Sequence, residues 1–318
     1  NGEYLKMAKR KNKKQSGFLA KLGAIAVILA VGVFAADYLD IFTIDDWKEL
    51  LDLKTVSTAE GEAEVHFIDV GQGDCSLVIS EGKTLLIDTG EKEYAQDVCD
   101  YLKEHDVDKL DYMLLTHPHS DHMGGASYIV DNVDIEHIII PKVPDDMTPT
   151  TKFYEKFLTS VQNKGLKLTA AEPGKTYEIG ECSLEILSPV KDDYSNLNNF
   201  SAAAVITHGK HRFMFTGDIE KEAEQDIIDS GRLESADVLK VAHHGSNTSS
   251  TTDFLDIVNP DYAVIMCGVD NSYKHPHKKI VERLAEYCDN IYRTDIDGTI
   301  VFTSDQNDIE VKTENQEK

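Results

Sequence analysis

The chain has 318 residues, enough for a substantial core in one large domain or two smaller ones, and a formal charge of −25 at pH 7. Such an acidic surface repels polyanions and excludes a nucleic-acid binder that works by surface charge alone; a polyanionic substrate would need local help, above all from bound metal ions. The five cysteines (Cys75, Cys99, Cys182, Cys267 and Cys288) are scattered and form no C-x-x-C pair, which argues against a zinc knuckle or a dense disulfide frame.

The charge is unevenly distributed. Through Lys21 the chain carries seven basic residues and one acidic residue, including the run Lys9-Arg10-Lys11-Asn12-Lys13-Lys14. Residues 1–16 read as a basic tail and residues 17–37 as an apolar span, with Lys21 snorkelling to the interface. This pattern predicts a single-pass signal-anchor helix, with the basic end in the cytoplasm and everything after Asp37 outside the cell membrane. Cleavage at the weak site Ala35-Ala36, releasing a secreted protein, is the alternative. Residues 38–62, with Trp47 and a Ser/Thr/Ala-rich piece, read as a linker.

The globular domain is expected over residues 63–304. Strands are predicted from Val65 to Val70, Cys75 to Ile79 and Thr84 to Ile87, joined by the tight turn Gly71-Gln72-Gly73-Asp74 and a hairpin turn at Glu81-Gly82-Lys83. Gly71-x-Gly73 is not a dinucleotide fingerprint, because the third glycine is missing (position 76 is Ser) and a strand follows. A helix is expected from Lys92 to His105 and a buried strand from Leu110 to Leu115. A helix from Gly124, a strand from Glu136 to Ile140 and a helix from Thr151 to Lys164 complete the first half. The second half repeats this layout, with strands near 182–187, 202–207, 211–215, 238–242, 262–267 and 299–303, and helices near 221–230, 251–258 and 278–287. Two similar halves of strands interrupted by helices predict an α+β fold of two face-to-face sheets with helices outside, a four-layer αββα sandwich. Residues 305–318 read as a polar, frayed tail.

Three stretches carry chemistry. The first is Thr116-His117-Pro118-His119-Ser120-Asp121-His122-Met123-Gly124-Gly125, in which three histidines and an aspartate fall within six positions just after a buried strand. Imidazole and carboxylate together suit zinc, manganese or iron, and alternate positions of an extended loop aim side chains the same way. His117 and His119 could grip one ion while Asp121 and His122 reach a second. The second stretch ends in Thr216-Gly217-Asp218, an acid after a buried strand, placed either to bridge two ions or to cap the helix that follows. The third is Ala242-His243-His244-Gly245-Ser246: one histidine is expected to be a ligand and the other to hold phosphate or supply a proton. Adjacent residues leaving a strand point opposite ways, so both assignments stay open. His275, in Asn271-Ser272-Tyr273-Lys274-His275-Pro276-His277, is a further candidate acid or phosphate contact. His66, His105, His137, His208 and His211 are assigned to structure or surface, and His277 to a solvated helix start.

Together with Asp69-Val70-Gly71-Gln72-Gly73-Asp74 and Leu86-Ile87-Asp88-Thr89-Gly90, these stretches resemble the metallo-β-lactamase superfamily. Within it, Gly-Gln-Gly-Asp and His-His-Gly-Ser resemble the ComEC branch of DNA-uptake proteins. The resemblance implies a site for two divalent ions, zinc or alternatively manganese. His117 and His119 would bind the first ion; Asp121 and His122 would bind the second with one of His243 and His244; Asp218 would bridge them. Asp69 and Asp88 would be orienting acids. Superfamily members usually complete the first ion's shell with a mid-chain histidine, and the corresponding stretch 195–201 has none. Asn199 and Ser201 stand there and join Asn271, Tyr273 and His275 as expected substrate contacts, with Asp121, Asp218 and His275 as the catalytic set.

The implied chemistry is metal-dependent hydrolysis of a phosphodiester outside the membrane, in single-stranded DNA or a small molecule, with no obligate protein partner. A phosphorylcholine- or teichoic-acid-type esterase, a cyclic-nucleotide phosphodiesterase, a β-lactamase and a non-catalytic anchored binding module are the alternatives.

Overall fold

The computed structural model describes residues 58–316. The expected basic tail, the span at 17–37 and most of the linker lie outside the described residues. Among the described residues no helix is long and apolar enough to cross a membrane.

Fifteen strands occur in the described residues. In chain order they are β1 (Ala63–Phe67), β2 (Ser76–Ser80), β3 (Lys83–Ile87), β4 (Lys109–Leu114), β5 (Asp134–Ile140), β6 (Leu168–Ala170), β7 (Thr176–Ile179) and β8 (Cys182–Ile186). There follow β9 (Ala204–His208), β10 (His211–Phe215), β11 (Val238–Lys240), β12 (Tyr262–Ile265), β13 (Asn290–Arg293), β14 (Ile300–Ser304) and β15 (Ile309–Thr313). They form an eight-stranded sheet, β15-β14-β1-β2-β3-β4-β5-β6, and a seven-stranded sheet, β13-β12-β11-β10-β9-β8-β7.

Period-2 alternation sorts the side chains into layers. Leu85 and Ile87 of β3 point inward and Leu86 outward. Val65, Phe67, Val78 and Leu114 of one sheet meet Leu184, Ile206, Phe213 and Val264 of the other in a central core. The outer face of the larger sheet is covered by helices Ala95–Glu104, Ala126–Asn132 and Lys152–Lys164, through residues such as Val98, Leu102, Ile129 and Phe157. The outer face of the smaller sheet is covered by helices Lys221–Asp229, Thr252–Val258 and Lys278–Leu284. The architecture is therefore the expected αββα sandwich. In the helix Ala95–Glu104 the buried positions Ala95, Val98, Cys99 and Leu102 recur at helical spacing. The helix Lys152–Lys164 stops at Gly165, whose φ of 68° is the left-handed conformation that suits glycine. All five cysteines are free and buried.

The expected frayed tail is corrected. Ile309–Thr313 pairs antiparallel with β14 as an edge strand, and Ile309 and Val311 pack on the central core while Glu310 is exposed. Glu310 and Lys312 face water, which gives the segment a polar composition. The short strands β6, β7 and β13 also went unread, each being only three or four residues long.

Topology fixes the location of the chemistry. β3, β4, β5 and β6 run parallel to one another, as do β10, β11, β12 and β13. Asp88, the 116–125 loop, Asp218, the His243-His244 turn and the 268–277 loop all leave the carboxyl ends of such strands. Open parallel sheets bind ligands at that end.

Candidate metal centre

The 116–125 loop is anchored before it presents any ligand. Asp88, fully buried, accepts hydrogen bonds from Thr116 N (2.7 Å), Thr116 Oγ1 (2.7 Å) and His122 Nδ1 (2.8 Å). The last bond turns His122 Nε2 into the site. Thr89 N and Oγ1 both donate to the His122 carbonyl, at 2.7 and 2.9 Å. The Gly71-Gln72-Gly73-Asp74 turn lies against the same loop: Asp74 N donates to Asp121 O at 3.1 Å. A Cβ on Gly73 would stand 2.3 Å from that carbonyl, which explains a glycine there.

Four ligand-type side chains converge. One ligand atom each of Asp121, His122, Asp218 and His244 lies within 4.8 Å of the others. His122 Nε2 is 3.2 Å from Asp218 Oδ1, and His244 Nε2 is 3.2 Å from Asp121 Oδ2 and 3.6 Å from Asp218 Oδ2. His244 Nδ1 bonds Met266 O at 2.8 Å, which leaves its Nε2 facing inward. His122 Nε2, His244 Nε2 and Asp218 Oδ1 are buried without a hydrogen-bond partner. Convergent orphaned nitrogen and carboxylate atoms are what a divalent ion needs, so this donor set fits zinc or manganese.

His117 and His119 stand beside this group rather than in it. His117 Nε2 is 2.9 Å from His119 Nδ1 and 3.9 Å from Asp218 Oδ2. His243 Nε2 approaches the same Asp218 oxygen at 3.7 Å. Asp218 thus turns one oxygen toward His122 and the other toward His117, His243 and His244.

The electrostatics differ across the site. Burial opposes a charge on His122, but Asp218, Asp88, Asp74 and Asp121 outweigh it and hold its pKa well above the usual range. His244 is raised against burial to about 10, chiefly by Asp218 and Asp74. Burial likewise opposes the Asp218 charge, yet His122 and His244 keep its carboxyl well below the usual range. On the other side, burial depresses His117, His119 and His243, and neutral imidazole is the form that ligates metal. Burial and the neighbouring His244 and His243 push His275 down to about 4, so at neutral pH it is an uncharged hydrogen-bonding group rather than an acid.

A cavity of about 290 Å³ opens over these residues, lined by His119, Asp121, Asp218, His243, His244 and His275 together with Gln72, Ser120, Asn198 and Tyr273. Several expected roles are corrected. His243 and His244 do not alternate across an extended strand; both have left-handed backbone (φ 52° and 53°) in a tight turn, so both line the cavity. Asn199 is spent on structure: its Oδ1 accepts from Glu220 N at 2.9 Å, and the neighbouring Asn198 lines the cavity instead. Ser201 is fully buried, and its Oγ accepts from Asp218 N at 3.0 Å, so it holds the aspartate rather than substrate. Asn271 is a loop staple: its amide donates to Gly268 O and His275 O, and its Oδ1 accepts from His275 N. Asp69 is exposed and accepts from Gly71 N in its own turn.

The orienting acid missed by sequence reasoning is Asp74. It is buried, 3.3 Å from His244 Nδ1 and 3.7 Å from His122 Nδ1, and paired with Lys240. Lys240 is 1 % exposed and also donates to Gly217 O at 3.2 Å, next to Asp218. The signal was available: a lysine inside the apolar strand Val238-Leu239-Lys240-Val241-Ala242 requires a buried acid. Behind the histidine turn, Glu224, fully buried, accepts from Thr251 N (2.9 Å) and Thr251 Oγ1 (2.7 Å). The turn is also locked to the 268–277 loop. His277 N donates to Gly245 O at 3.0 Å, and a Cβ on Gly245 (φ 80°) would meet Pro276 Cβ at 2.6 Å.

Two sheets carrying a histidine-aspartate centre at their carboxyl edges define a metal-dependent hydrolase fold, and the sequence pattern of the metallo-β-lactamase superfamily matches residues 68–269. The chain belongs to that superfamily. It is 32 % identical over 263 residues to ComE operon protein 3 of Bacillus subtilis, covering 76 % of this chain and 33 % of that protein. To competence protein ComA of Neisseria gonorrhoeae it is 31 % identical over 248 residues, covering 76 % of this chain and 32 % of that one. The chain thus spans about a third of the length of these curated relatives. Among solved structures, a mutant of the β-hydroxylase CmlA has the same fold, with a TM-score of 0.50, 10 % identity, and coverage of 86 % of this chain and 59 % of that one.

Proposed function

We propose that this chain is a two-ion phosphodiesterase that cleaves single-stranded DNA outside the cell membrane, to which residues 17–37 anchor it. The observation that carries the reading is Asp218, whose Oδ1 faces His122 and whose Oδ2 faces His117, with His243 and His244 also on the Oδ2 side. Divalent ions held there supply Lewis acidity and an activated water. His117 and His119 would hold the first ion, Asp121, His122 and His244 the second, and Asp218 would serve both. His243, on the cavity wall, and His275 hydrogen-bond the phosphate oxygens. Asp88, Asp74 and Ser201 hold the ligands in place, so little reorganisation is needed when substrate arrives. The similarity to competence proteins supports a DNA substrate.

The cavity's small size, about 290 Å³, favours a small phosphodiester as the second reading. The test is a side-by-side assay of single-stranded DNA, bis-p-nitrophenyl phosphate, nitrophenyl phosphorylcholine and nitrocefin with zinc or manganese. Cleavage of the DNA is expected, with loss of activity in Asp121→Ala and Asp218→Ala. Activity that survives both substitutions would refute the mechanism; turnover of the phosphorylcholine ester alone would select the second reading.

A further inference from the structure

We infer that Tyr273 is a stacking platform at the mouth of the site, and that it takes a nucleobase of a single strand whose phosphate enters the cavity. This rests on the phosphodiesterase reading and names the part of the substrate that flanks the scissile bond.

Tyr273 is 63 % exposed, and Val269, in the same loop, is 71 % exposed. A lone exposed tyrosine is an ordinary surface residue. This one lines the cavity and tops a flight of rings. His275 stacks on His244 with centroids 6.2 Å apart at 25°, and Tyr273 stacks on His275 at 5.7 Å and 21°. One face of the tyrosine is thereby committed to a ring leading down to the metal ligands. Its hydroxyl has no hydrogen-bond partner among the described residues. The loop that carries it is fixed from within: Asn271 Nδ2 donates to His275 O (2.6 Å) and Gly268 O (2.9 Å), Asn271 Oδ1 accepts from His275 N (2.9 Å), and Lys274 N donates to Asn271 O (3.1 Å). These bonds seat His275 beside the ligand turn, and in doing so they fix the backbone on both sides of Tyr273 while its ring stays exposed. A planar partner gains from this, because the ring is already ordered when it arrives.

The charge narrows the partner. With a net charge of −25 this protein cannot draw a polyanion by its surface field. Stacking is indifferent to charge, is worth roughly 1–3 kcal/mol per base, and tolerates any base because each has a π-face. A base flanking the scissile phosphate is the planar group that such a substrate brings to the ledge.

The experiment pairs removal of the ring with removal of the base. A short oligothymidylate and the same strand with abasic sugars are assayed with the metal-loaded wild type, Tyr273→Ala and Tyr273→Phe. Each single loss, the base or the ring, is expected to lower kcat/KM about 5- to 150-fold, mostly through KM. The two losses together should cost no more than one, and Tyr273→Phe, which keeps the ring, should keep the difference between the two strands. Additive losses, or a Tyr273→Ala that cleaves the thymidine strand as well as wild type, overturn the inference. An independent arm uses Tyr273→Trp in the full chain, whose only other tryptophan is Trp47. The thymidine strand should quench the new indole and the abasic strand should not; equal quenching by both, or none, overturns the stacking assignment. If no phosphodiester is hydrolysed, the catalytic reading fails, and quenching still decides the platform.

Discussion

Replacing Lys240 by methionine tests how the site is supported. The substitution keeps the length and apolar stem of the side chain and removes the ammonium that lies between the Asp74 carboxylate and the Gly217 carbonyl. Asp74 is 4 % exposed, so its charge would remain in a dry environment without its main partner. Breaking a buried pair from one side costs about 3–5 kcal/mol. His122 and His244 still face Asp74 and offset part of that, so the expected loss is about 3 kcal/mol. With a urea m-value of about 3 kcal/mol/M, the unfolding midpoint of the chelator-treated protein should fall by about 1 M. Lys240→Met combined with Asp74→Leu should recover most of that loss, because no orphaned charge is left. A single variant that unfolds within about 0.2 M of wild type would refute the reasoning. So would a double variant as unstable as the two singles added together.

Two further outcomes are expected. Asp88→Asn keeps the shape but weakens the acceptor that orients His122; metal affinity should drop about 10- to 100-fold in competition with a chromophoric chelator, and unchanged affinity would remove Asp88 from its orienting role. Asp111, on β4 six residues before His117, accepts from Lys83 Nζ and Thr84 N at 2.7 and 3.0 Å. Burial pushes its pKa up, but those donors prevail and hold the carboxyl below its ordinary value of 3.8. Its contribution is therefore present above the unfolded-state pKa, about 3.9, and is lost as pH falls through the lower folded value. Asp111→Asn should cost about 1 kcal/mol at pH 7, with the gap closing below about pH 4; a gap that is constant from pH 7 to pH 3 would contradict the assignment.

The larger features were legible because they are local. Short apolar runs at 85–87 and 213–215, bounded by polar residues, read directly as strand, and three histidines and an acid in six positions announce a metal loop. What escaped depends on contacts between distant segments or on the handedness of single residues. Asp74 and Asp69 look alike in sequence, and only the approach of β11 makes Asp74 the acid under the histidines. Asn198 and Asn199 differ by one step of a 3₁₀ turn and both bond Glu220, Asn198 through the carboxylate and Asn199 through the backbone N–H, and of the two Asn198 lines the cavity. His243 and His244 were expected to diverge as on a strand, and two successive left-handed residues bring them to the same cavity. β15 escaped because only Ile309 and Val311 on one of its faces pack on the core, while Glu310 and Lys312 between them are exposed.

The close fit of Gly245 against Pro276 makes the ligand turn and the ledge-bearing loop a single mechanical body. Whatever tightens one then tightens the other, and thermodynamic reciprocity makes the exchange symmetrical. An ion that steadies His244 would lend order to the loop holding Tyr273, and a strand resting on that loop would tighten the ion's binding by the same factor. In such an enzyme the metal would be retained best while substrate is in place, and chelator resistance would report on occupancy of the ledge.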